Sequence, residues 1–201
     1  MRRLKIATID DLNDPFDLLA VDASDQIIRY VFRRIRENLA AKHGLLCFSL
    51  DWHNPVQWSH YAEKHRGLCL GFDIPNERLS KVIYSRKLLA VDTERFFPHG
   101  QLDYETATKL LLTKYAHWQY ESEVRAFVDL QALDPHKKMY FMQFSDSLRL
   151  AQVIVGAESA LTRSEIEDAL GDLTSTVEAF KARLAFKSFR VVRQRKQESW
   201  A

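Results

Sequence analysis

The sequence predicts an α+β fold in a single domain of residues 1–201, with a central, mostly antiparallel sheet flanked by helices. Short apolar runs bounded by turn residues recur along the chain and are typical of strands. Other segments combine apolar residues at the helical period with a capping residue. No repeat, low-complexity linker or clear domain boundary interrupts the sequence, and a chain of this length can bury roughly 70% of its unfolded surface.

The N-terminal part predicts a strand, a loop and a long helix. Residues 4–8 alternate in polarity like a short strand, and an Asn-Asp-Pro loop follows at residues 13–15. Ser24 suits the N-cap of a helix over residues 25–42. Arginines should cover its outer side, while its apolar positions follow the 3.6-residue period: Ile27, Ile28, Val31, Phe32, Ile35 and Leu39.

Residues 47–72 carry a dense set of chemically useful side chains, with both cysteines, three of the seven histidines and two of the four tryptophans. The apolar runs at residues 45–48 and 68–72 predict buried strands. Cys47 and Cys69 lie in these runs, so we expect two buried free thiols.

A helix is predicted between these two strands. Asn54 is a favourable N-cap, Pro55 fits the first helical position, and Gln57 completes a capping-box pattern. The helix should extend to about His65, and Gly67 should supply the left-handed residue that ends it.

One face of this helix is expected to point inward because its residues lie at i, i+3, i+4 and i+7: Trp58, Tyr61, Ala62 and His65. Ser59 and Glu63 should point outward. His60 lies at the boundary and could face a cleft.

The second half of the chain predicts mixed elements. Strands are expected at residues 81–84, 88–91, 120–130, 139–144, 148–155 and 184–192. Helices are expected at residues 103–115, at 162–170 with a Thr162–Glu165 capping box, and at 176–182; a loop is expected at 96–102.

The charge balance gives little indication of a polyanionic partner. Lys+Arg 29 against Asp+Glu 27 leaves a net charge of +2. Residues 184–201 form a basic strand and tail whose cations are Lys187, Arg190, Arg193, Arg195 and Lys196. A solvated strand edge with a frayed tail is the favoured interpretation, and a phosphate-binding patch is the alternative. Nucleic acid is thus a possible partner without support in the sequence.

Several classes of protein are excluded or disfavoured. No apolar stretch approaches the 18 or so residues of a membrane span, and no signal peptide is recognisable, so we expect a cytoplasmic protein without membrane contact. Cys-x-x-Cys, His-Glu-x-x-His and carboxylate-rich metal loops are absent from the sequence. His60 and His65 are five residues apart and share a helix face poorly, so no metal site is expected.

A charged strand is the second chemical candidate. Alternation places Glu121, Glu123 and Arg125 on one face of the predicted strand at residues 120–130, and apolar residues on the other. The apolar face should be the core face, so the charged row should point to water or into a cleft. It is either an exposed strand with carboxylate–guanidinium pairing, or a site where one glutamate has a raised pKa and Arg125 keeps the other ionised.

The third candidate is the loop of Asn13, Asp14 and Pro15. Asn and Asp side chains bond their own backbone in turns, and the residue before proline is extended. The loop is either a turn that feeds a helix, or a segment through which Asn13 or Asp17 lines a cleft.

Six sequence patterns together resemble the bacterial family known as domain of unknown function 2971. They are L-N-D-P-F-D at residues 12–17, C-F-S at 47–49, W-x-H-Y-A at 58–62, H-x-G-x-C-x-x-F at 65–72, W-x-Y-E-x-E-x-R at 118–125 and V-I-x-G at 153–156. The resemblance spans about residues 12–170. That family usually begins about a strand and a helix earlier, with a Lys-Tyr or His-Tyr pair. We therefore expect a shortened N-terminus here, either because the chain is a shortened version or because its start was set late.

The resemblance implies two functions. The first is a ligand- or partner-binding regulatory domain, whose partner is an unknown small molecule or protein, in the phage-defence setting where abortive-infection genes of this family occur. The second is an NAD-cleaving enzyme of ADP-ribosyltransferase type, with NAD as its cofactor, Glu123 as the key carboxylate and Glu121 assisting. Beside these two glutamates, the candidate ligand-binding residues are Asn13, Asp14, Ser49, Trp58, His60, Tyr61, His65, Tyr120 and Arg125.

Overall fold

The computed structural model describes residues 2–90, 104–196 and Trp200. The chain forms two compact units, one built from Met1–Ser49 and Asn76–Gln143 and the other from Leu50–Pro75 and Phe144–Ala201. Helices and strands are mixed in both, which confirms the predicted α+β class. The assignment of residues 1–201 to one domain stays a prediction.

The described residues of the first unit form three small sheets. Its strands are β1 (Arg3–Ile6), β2 (His43–Ser49), β4 (Ser80–Lys81), β5 (Ile83–Ser85), β6 (Thr113–Tyr115), β7 (Glu123–Asp129) and β8 (Tyr140–Gln143). β7 lies between β2 and β4 and is antiparallel to both, and β1 pairs antiparallel with β8. Only β5 and β6 pair in parallel among these strands.

Helix α1 (Gln26–Ala40) packs one stripe of its surface against the first unit. Ile28 and Phe32 are buried in a cluster with Val21 and Leu110, as the period predicts. Ile27 was expected on this stripe, but 71% of it is exposed.

The N-cap of α1 also differs from the prediction by one residue. Asp25, and not Ser24, caps the helix, because its carboxylate accepts hydrogen bonds from the backbone N–H groups of Ile27 and Ile28. An aspartate at this position also complements the positive end of the helix dipole.

A second helix of the first unit ends earlier than predicted. Helix α3 (Tyr104–Leu112) passes directly into strand β6, whereas the sequence indicated helix to residue 115. The strand predicted at 81–84 is divided between β4 and β5, which pair with different partners. Within the predicted strand 88–91, Leu89 forms an isolated bridge to Val21, while Val91 and the predicted loop at 96–102 lie outside the described residues.

The second unit is built on one four-stranded sheet in the order β11–β10–β9–β3. Its strands are β3 (Leu68–Asp73), β9 (Arg149–Val155), β10 (Glu178–Leu184) and β11 (Val191–Arg193); its helices are α2 (Pro55–Tyr61) and α4 (Arg163–Leu170). The β9–β10 pair is parallel, and the other two pairs are antiparallel.

Both faces of this sheet carry an apolar cluster, because alternate residues of β9 point to different clusters. Ile154 packs with Trp58 and Phe180 on one side. Val155 packs with Ile166 on the other side, where α4 lies. The predicted capping box of Thr162 and Glu165 opens α4 and is confirmed.

The C-terminal elements correct two predictions. The helix predicted at residues 176–182 is strand β10, since Phe180 and Ala182 are buried on one face with the period of two that a strand requires. The strand predicted at 184–192 is a hairpin connection over residues 185–190 followed by the short strand β11.

Helix α2 begins as predicted and ends four residues early. Asn54 caps it through a hydrogen bond to the backbone N–H of Val56. The helix stops at Tyr61, and left-handed backbone follows at Glu63, Lys64 and His65 (φ 48°, 57° and 69°). Gly67 therefore does not supply the left-handed residue.

The close approach of two backbone segments explains why this sharp turn is retained. A Cβ atom on Gly156 would lie 2.1 Å from the carbonyl oxygen of His65, so only glycine fits. The His65 carbonyl also accepts a hydrogen bond from the backbone N–H of Glu158 at 3.0 Å. The strained turn is thus fixed by the V-I-x-G segment at the end of β9.

Candidate functional site

Five charged side chains of the first unit form what we term the buried ion network: Asp17, Lys114, Glu121, Glu123 and Arg125. Their exposed fractions lie between 0% and 6%. Buried charges are costly in free energy unless each is paired. The partner of each group therefore decides what that group can do chemically.

Arg125 on β7 is the centre of the network. Its Nε donates to Glu123 Oε1 at 2.8 Å, and its Nη2 donates to Glu123 Oε2 at 3.2 Å and to Asp17 Oδ1 at 2.7 Å. Its Nη1 donates to the carbonyl oxygen of Leu111 at 2.9 Å. The guanidinium thus joins β7, the loop before α1 and the end of α3.

Lys114 on β6 is the second cation of the network. Its Nζ donates to Glu121 Oε2 at 2.5 Å and to Glu123 Oε2 at 2.9 Å, and it lies 3.9 Å from Asp17 Oδ2. The same ammonium lies 5.0 Å from the centre of the Trp118 ring, within the range of a cation–π contact. Both oxygens of Glu123 are therefore bonded to cations.

The network shifts the pKa values of its members in different directions. Burial raises the pKa of Asp17 more than the charge of Arg125 lowers it. Burial also acts to raise the pKa of Glu123, but hydrogen bonds and charge from Arg125 and Lys114 outweigh it, so this pKa lies below its ordinary value. For Lys114, burial is outweighed by the two glutamates, and its pKa is raised. Glu123 and Lys114 are therefore held charged.

The predicted exposure of the charged row is wrong. Glu123 and Arg125 do share one face of β7, but this face is closed by Lys114 and Asp17. Two buried cations compensate the carboxylates, which allows a strand to be buried on its charged face.

Glu121 reaches the network by a different route from the one predicted. It ends a 3-10 helix (Ala116–Glu121), and Ser122 then adopts left-handed backbone at φ 46° before β7 begins. This single turn brings the carboxylates of Glu121 and Glu123 to the same Lys114 Nζ. The strand predicted at residues 120–130 therefore starts three residues late.

The Asn13–Asp14–Pro15 loop forms the turn expected from its sequence. Asp14 Oδ1 accepts a hydrogen bond from the backbone N–H of Phe16 at 2.9 Å, and Asp14 is buried, while Asn13 is exposed. Asp14 Oδ2 is buried without a hydrogen-bond partner among the described residues. The turn delivers Asp17 to Arg125, so it acts as part of the framework.

The neighbouring strands add polar groups around Glu123. Ser49 on β2 lies opposite Glu123, and Cys47 lies opposite Arg125. The hydroxyl of Tyr84 accepts a hydrogen bond from the backbone N–H of Glu123 at 2.8 Å. Cys47 was expected to be buried, but it is exposed; Cys69 is half-buried, and both are free thiols.

Tyr120 is half-buried beside the network. Its ring centroid lies 6.0 Å from that of Trp118, and burial followed by the charge of Glu121 raises the pKa of its hydroxyl. It therefore keeps its proton at neutral pH.

In the second unit, Trp58 is a core residue. It exposes 3% of its surface and packs with Ile154 and Phe180, and its Nε1 donates to the carbonyl oxygen of Trp52 at 2.6 Å. The imidazole of His65 stacks on it, with ring centroids 6.2 Å apart and planes 12° apart. Trp58 and His65 thus stabilise the fold of this unit.

His60 and Tyr61 are both exposed on α2. Tyr61 was expected to face inward, but 56% of it is exposed, and its ring centroid lies 6.2 Å from that of His60. A helix of two turns buries only a narrow stripe, here Trp58 and Ala62. Ser59 and Glu63 are exposed as predicted.

The predicted site residues divide between the two units. The first unit holds Asn13, Asp14, Ser49, Tyr120, Glu121, Glu123 and Arg125, and the second holds Trp58, His60, Tyr61 and His65. Lys114 and Tyr84 were not predicted as site residues from the sequence. Lys114 closely follows a run of three leucines, and a lone cation next to so apolar a segment is itself a signal that it is buried and paired.

Neither a metal site nor a membrane span is found in the described part of the chain. Over residues 2–90, 104–196 and 200, no three His, Cys, Asp or Glu side chains are grouped to hold a metal ion. The helices within those ranges are too short or too polar to cross a bilayer.

Comparison with known proteins gives one finding. The family described as "Protein of unknown function (DUF2971)" matches residues 57–126, about a third of the chain. This range includes most of α2 and the segment from Trp118 to Arg125, and it excludes the L-N-D-P-F-D loop. No curated protein and no solved structure matches.

We expect Glu123→Gln to destabilise the chain by about 3–5 kcal/mol at neutral pH, because it leaves buried cations with too little compensating charge. The pKa of Glu123 is lowered by folding, so its contribution is present above its ordinary value of 4.5 and is lost as the pH falls through the folded-state value. The difference between the two proteins should therefore shrink in acid.

Urea unfolding of both proteins between about pH 3 and pH 7 measures this difference. Glu77→Gln is the matched control, since Glu77 is exposed. A cost that is equal for the two variants, or one that grows in acid, would contradict the pairing.

Proposed function

We propose that this chain is a ligand- or partner-binding regulatory module and not a NAD-cleaving transferase. The observation that carries this proposal is that both carboxylate oxygens of Glu123 are bonded to buried cations. A carboxylate that stabilises a developing sugar cation must present its negative charge to the substrate. Glu123 instead presents its charge to Lys114 and Arg125 and exposes only 6% of its surface.

The buried ion network has a structural role in this proposal. Arg125 and Lys114 hold the loop at Asp17, the end of α3 and the turn at Ser122 in one arrangement. In this proposal, the charged residues of the W-x-Y-E-x-E-x-R pattern are needed because they pair with other buried charges, and not because they carry out acid–base chemistry.

The recognition surface is proposed at His60 and Tyr61 on α2. Both side chains are exposed, and the helix that carries them is anchored by Trp58 in the core. Aromatic side chains with polar tips offer a large contact area with few rotatable bonds, and tyrosine is frequent in the energetic centres of interfaces. This pair therefore suits a protein or small-molecule partner.

The enzyme alternative makes a distinct prediction about NAD. A NAD-cleaving enzyme would show a raised midpoint of thermal unfolding in excess NAD, because ligand binding stabilises the native state. It would also release nicotinamide in a way that Glu123→Gln abolishes. We expect no shift and no release above a protein-free control.

Thermal unfolding with about 1 mM NAD and a nicotinamide assay test this expectation together. Glu77→Gln serves as the control for loss of a carboxylate. The binding-module proposal would be overturned if NAD raised the unfolding midpoint and the chain released nicotinamide, provided that this release survived in Glu77→Gln and disappeared in Glu123→Gln.

The resemblance to a family found among abortive-infection genes supports placing this module in phage defence. We expect bacteria that express the chain to form fewer plaques with at least some phages, and Tyr61→Ala to restore plaque formation by removing the recognition surface. Val56→Ala is the matched control, because Val56 is also exposed on α2. Equal plaque counts with and without the chain across a broad phage panel would contradict the placement.

A further inference from the structure

The β10–β11 hairpin carries the two most exposed large apolar side chains of the described residues. Phe186 is 90% exposed and Phe189 is 98% exposed. Single exposed apolar residues are ordinary on protein surfaces. Two nearly bare phenyl rings on one six-residue connection are unusual, because both rings keep almost all of their apolar area in water.

Cationic residues neighbour these rings along the chain. The guanidinium carbon of Arg183 lies 4.7 Å from the centre of the Phe186 ring, and Lys187 is exposed between the two phenylalanines. Arg190 closes the connection, with its carbonyl oxygen bonded to the backbone N–H of Ala185, and its side chain lies 3.7 Å from Asp51. The hairpin end therefore combines aromatic surface with positive charge.

A basic cavity of about 240 Å³ lies at the other end of the same hairpin. Five cationic side chains line it: Arg163, Lys181, Arg193, Arg195 and Lys196. No carboxylate is among its lining residues in the described part of the chain.

Among the described residues, most of these cations have no carboxylate partner. Arg193 is salt-bridged to Glu178. Lys181 donates instead to the carbonyl oxygen of Ser159 at 2.9 Å. Within residues 2–90, 104–196 and 200, no ion pair joins Arg163, Arg195 or Lys196 to a carboxylate. A cavity with several unpaired cations is an anion site.

The dimensions of the cavity and the position of its aromatic rings limit which anion can enter. Its volume lies below the roughly 300–1,000 Å³ typical of pockets for drug-sized ligands. Phe180 and Trp200 line it, but both are buried, and the guanidiniums of Arg193 and Arg163 cover their faces at 4.4 Å and 4.7 Å. The cavity therefore suits a phosphate group and offers no ring on which a base could stack.

The rings exposed enough for base stacking are those at the hairpin end, where Arg183 lies near Phe186 but 90% of that residue is still exposed. The register pairs Ala182 with Arg193 and Leu184 with Val191. At about 3.4 Å per residue, the cavity side and the hairpin connection are separated by roughly 10 Å along the strands, within reach of one short polymer.

We infer that the β10–β11 hairpin binds single-stranded nucleic acid, with backbone phosphates in the basic cavity and bases stacked on Phe186 and Phe189. Alternating cations and exposed aromatic rings are the features by which proteins bind single strands without sequence preference. Bases in a duplex are already stacked on each other, so the rings favour the single strand. This surface differs from the His60–Tyr61 pair, and the inference goes beyond the proposed function.

An anionic membrane is the competing partner for a basic, aromatic hairpin end. A flat bilayer could receive the two phenylalanines. It would leave the cations of the recessed cavity unused, whereas a flexible polyanion can occupy both parts. The structure therefore favours nucleic acid.

Fluorescence anisotropy of the full chain with a labelled oligothymidine of about 15 nucleotides tests the inference, with the matched duplex and with vesicles of anionic phospholipid as comparisons. We expect binding to the single strand that weakens as salt rises.

The double substitution F186A/F189A should weaken this binding about tenfold or more, because it removes both stacking rings. The double substitution R195A/K196A should weaken it and reduce the salt slope by roughly 0.7 for each phosphate that the chain no longer neutralises.

Matched controls are Tyr30→Ala for removal of an exposed ring and R33A/R34A for removal of two exposed cations, all on the outer side of α1. These should bind like the unaltered chain, and F186A/F189A should unfold at an unchanged temperature because both rings are in water. Three results would each overturn the inference. The first is no oligonucleotide binding at low salt, and the second is equal weakening of binding by the control substitutions. The third is vesicle binding that depends on both phenylalanines, without oligonucleotide binding.

Discussion

The first unit depends on the hydrogen bonds of one buried arginine. Arg125 uses all three of its guanidinium nitrogens to bond Glu123, Asp17 and the Leu111 carbonyl. These partners belong to separate elements of the chain, so the guanidinium fixes the positions of a loop, a helix end and a strand together. The planar, permanently charged group of arginine makes such multiple pairing possible in a way that lysine does not.

The rest of the network follows from the charge that Arg125 leaves uncompensated. Asp17, Glu121 and Glu123 bring three carboxylates to two cations, and burial would penalise every unpaired one. Lys114 bonds Glu121 and Glu123 at hydrogen-bond distance. Its ammonium lies 3.9 Å from Asp17 Oδ2, which is buried without a hydrogen-bond partner among the described residues. A cluster held in this way has little freedom to exchange a protein cation for a substrate.

The second unit is stabilised chiefly by apolar packing. Its sheet carries an apolar cluster on each face, and the strained turn at Glu63–His65 is held where Gly156 allows close backbone contact. His60 and Tyr61 on α2 and the phenylalanines of the β10–β11 hairpin are exposed on this unit, and we propose them as recognition groups.

Local signals in the sequence were sufficient for much of the fold. Strands β1, β3, β8 and β9, the Asn54 cap and the Thr162–Glu165 capping box follow from short-range patterns that the structure retains. The predictions failed where tertiary contacts decide the outcome. Residues 176–182 suit a helix locally, but pairing with β9 makes residues 178–181 a strand.

The candidate site shows the same division between local and long-range information. The importance of Glu121, Glu123 and Arg125 could be inferred from their spacing. Their burial could not, because it depends on Lys114 and Asp17, which lie 11 and 108 residues from Arg125. A single sequence contains no measure of such proximity, so the direction in which the charged face points was predicted incorrectly.

A double-mutant cycle on Asp17 and Arg125 tests most directly whether the buried ion network holds the first unit together. Arg125→Met should cost about 3–5 kcal/mol of unfolding free energy, because it leaves buried carboxylates unpaired. Combining it with Asp17→Asn should cost less than the sum of the two single changes, by about 1 kcal/mol or more. Costs that add to within about 0.5 kcal/mol would show that the two residues act independently and would contradict the account.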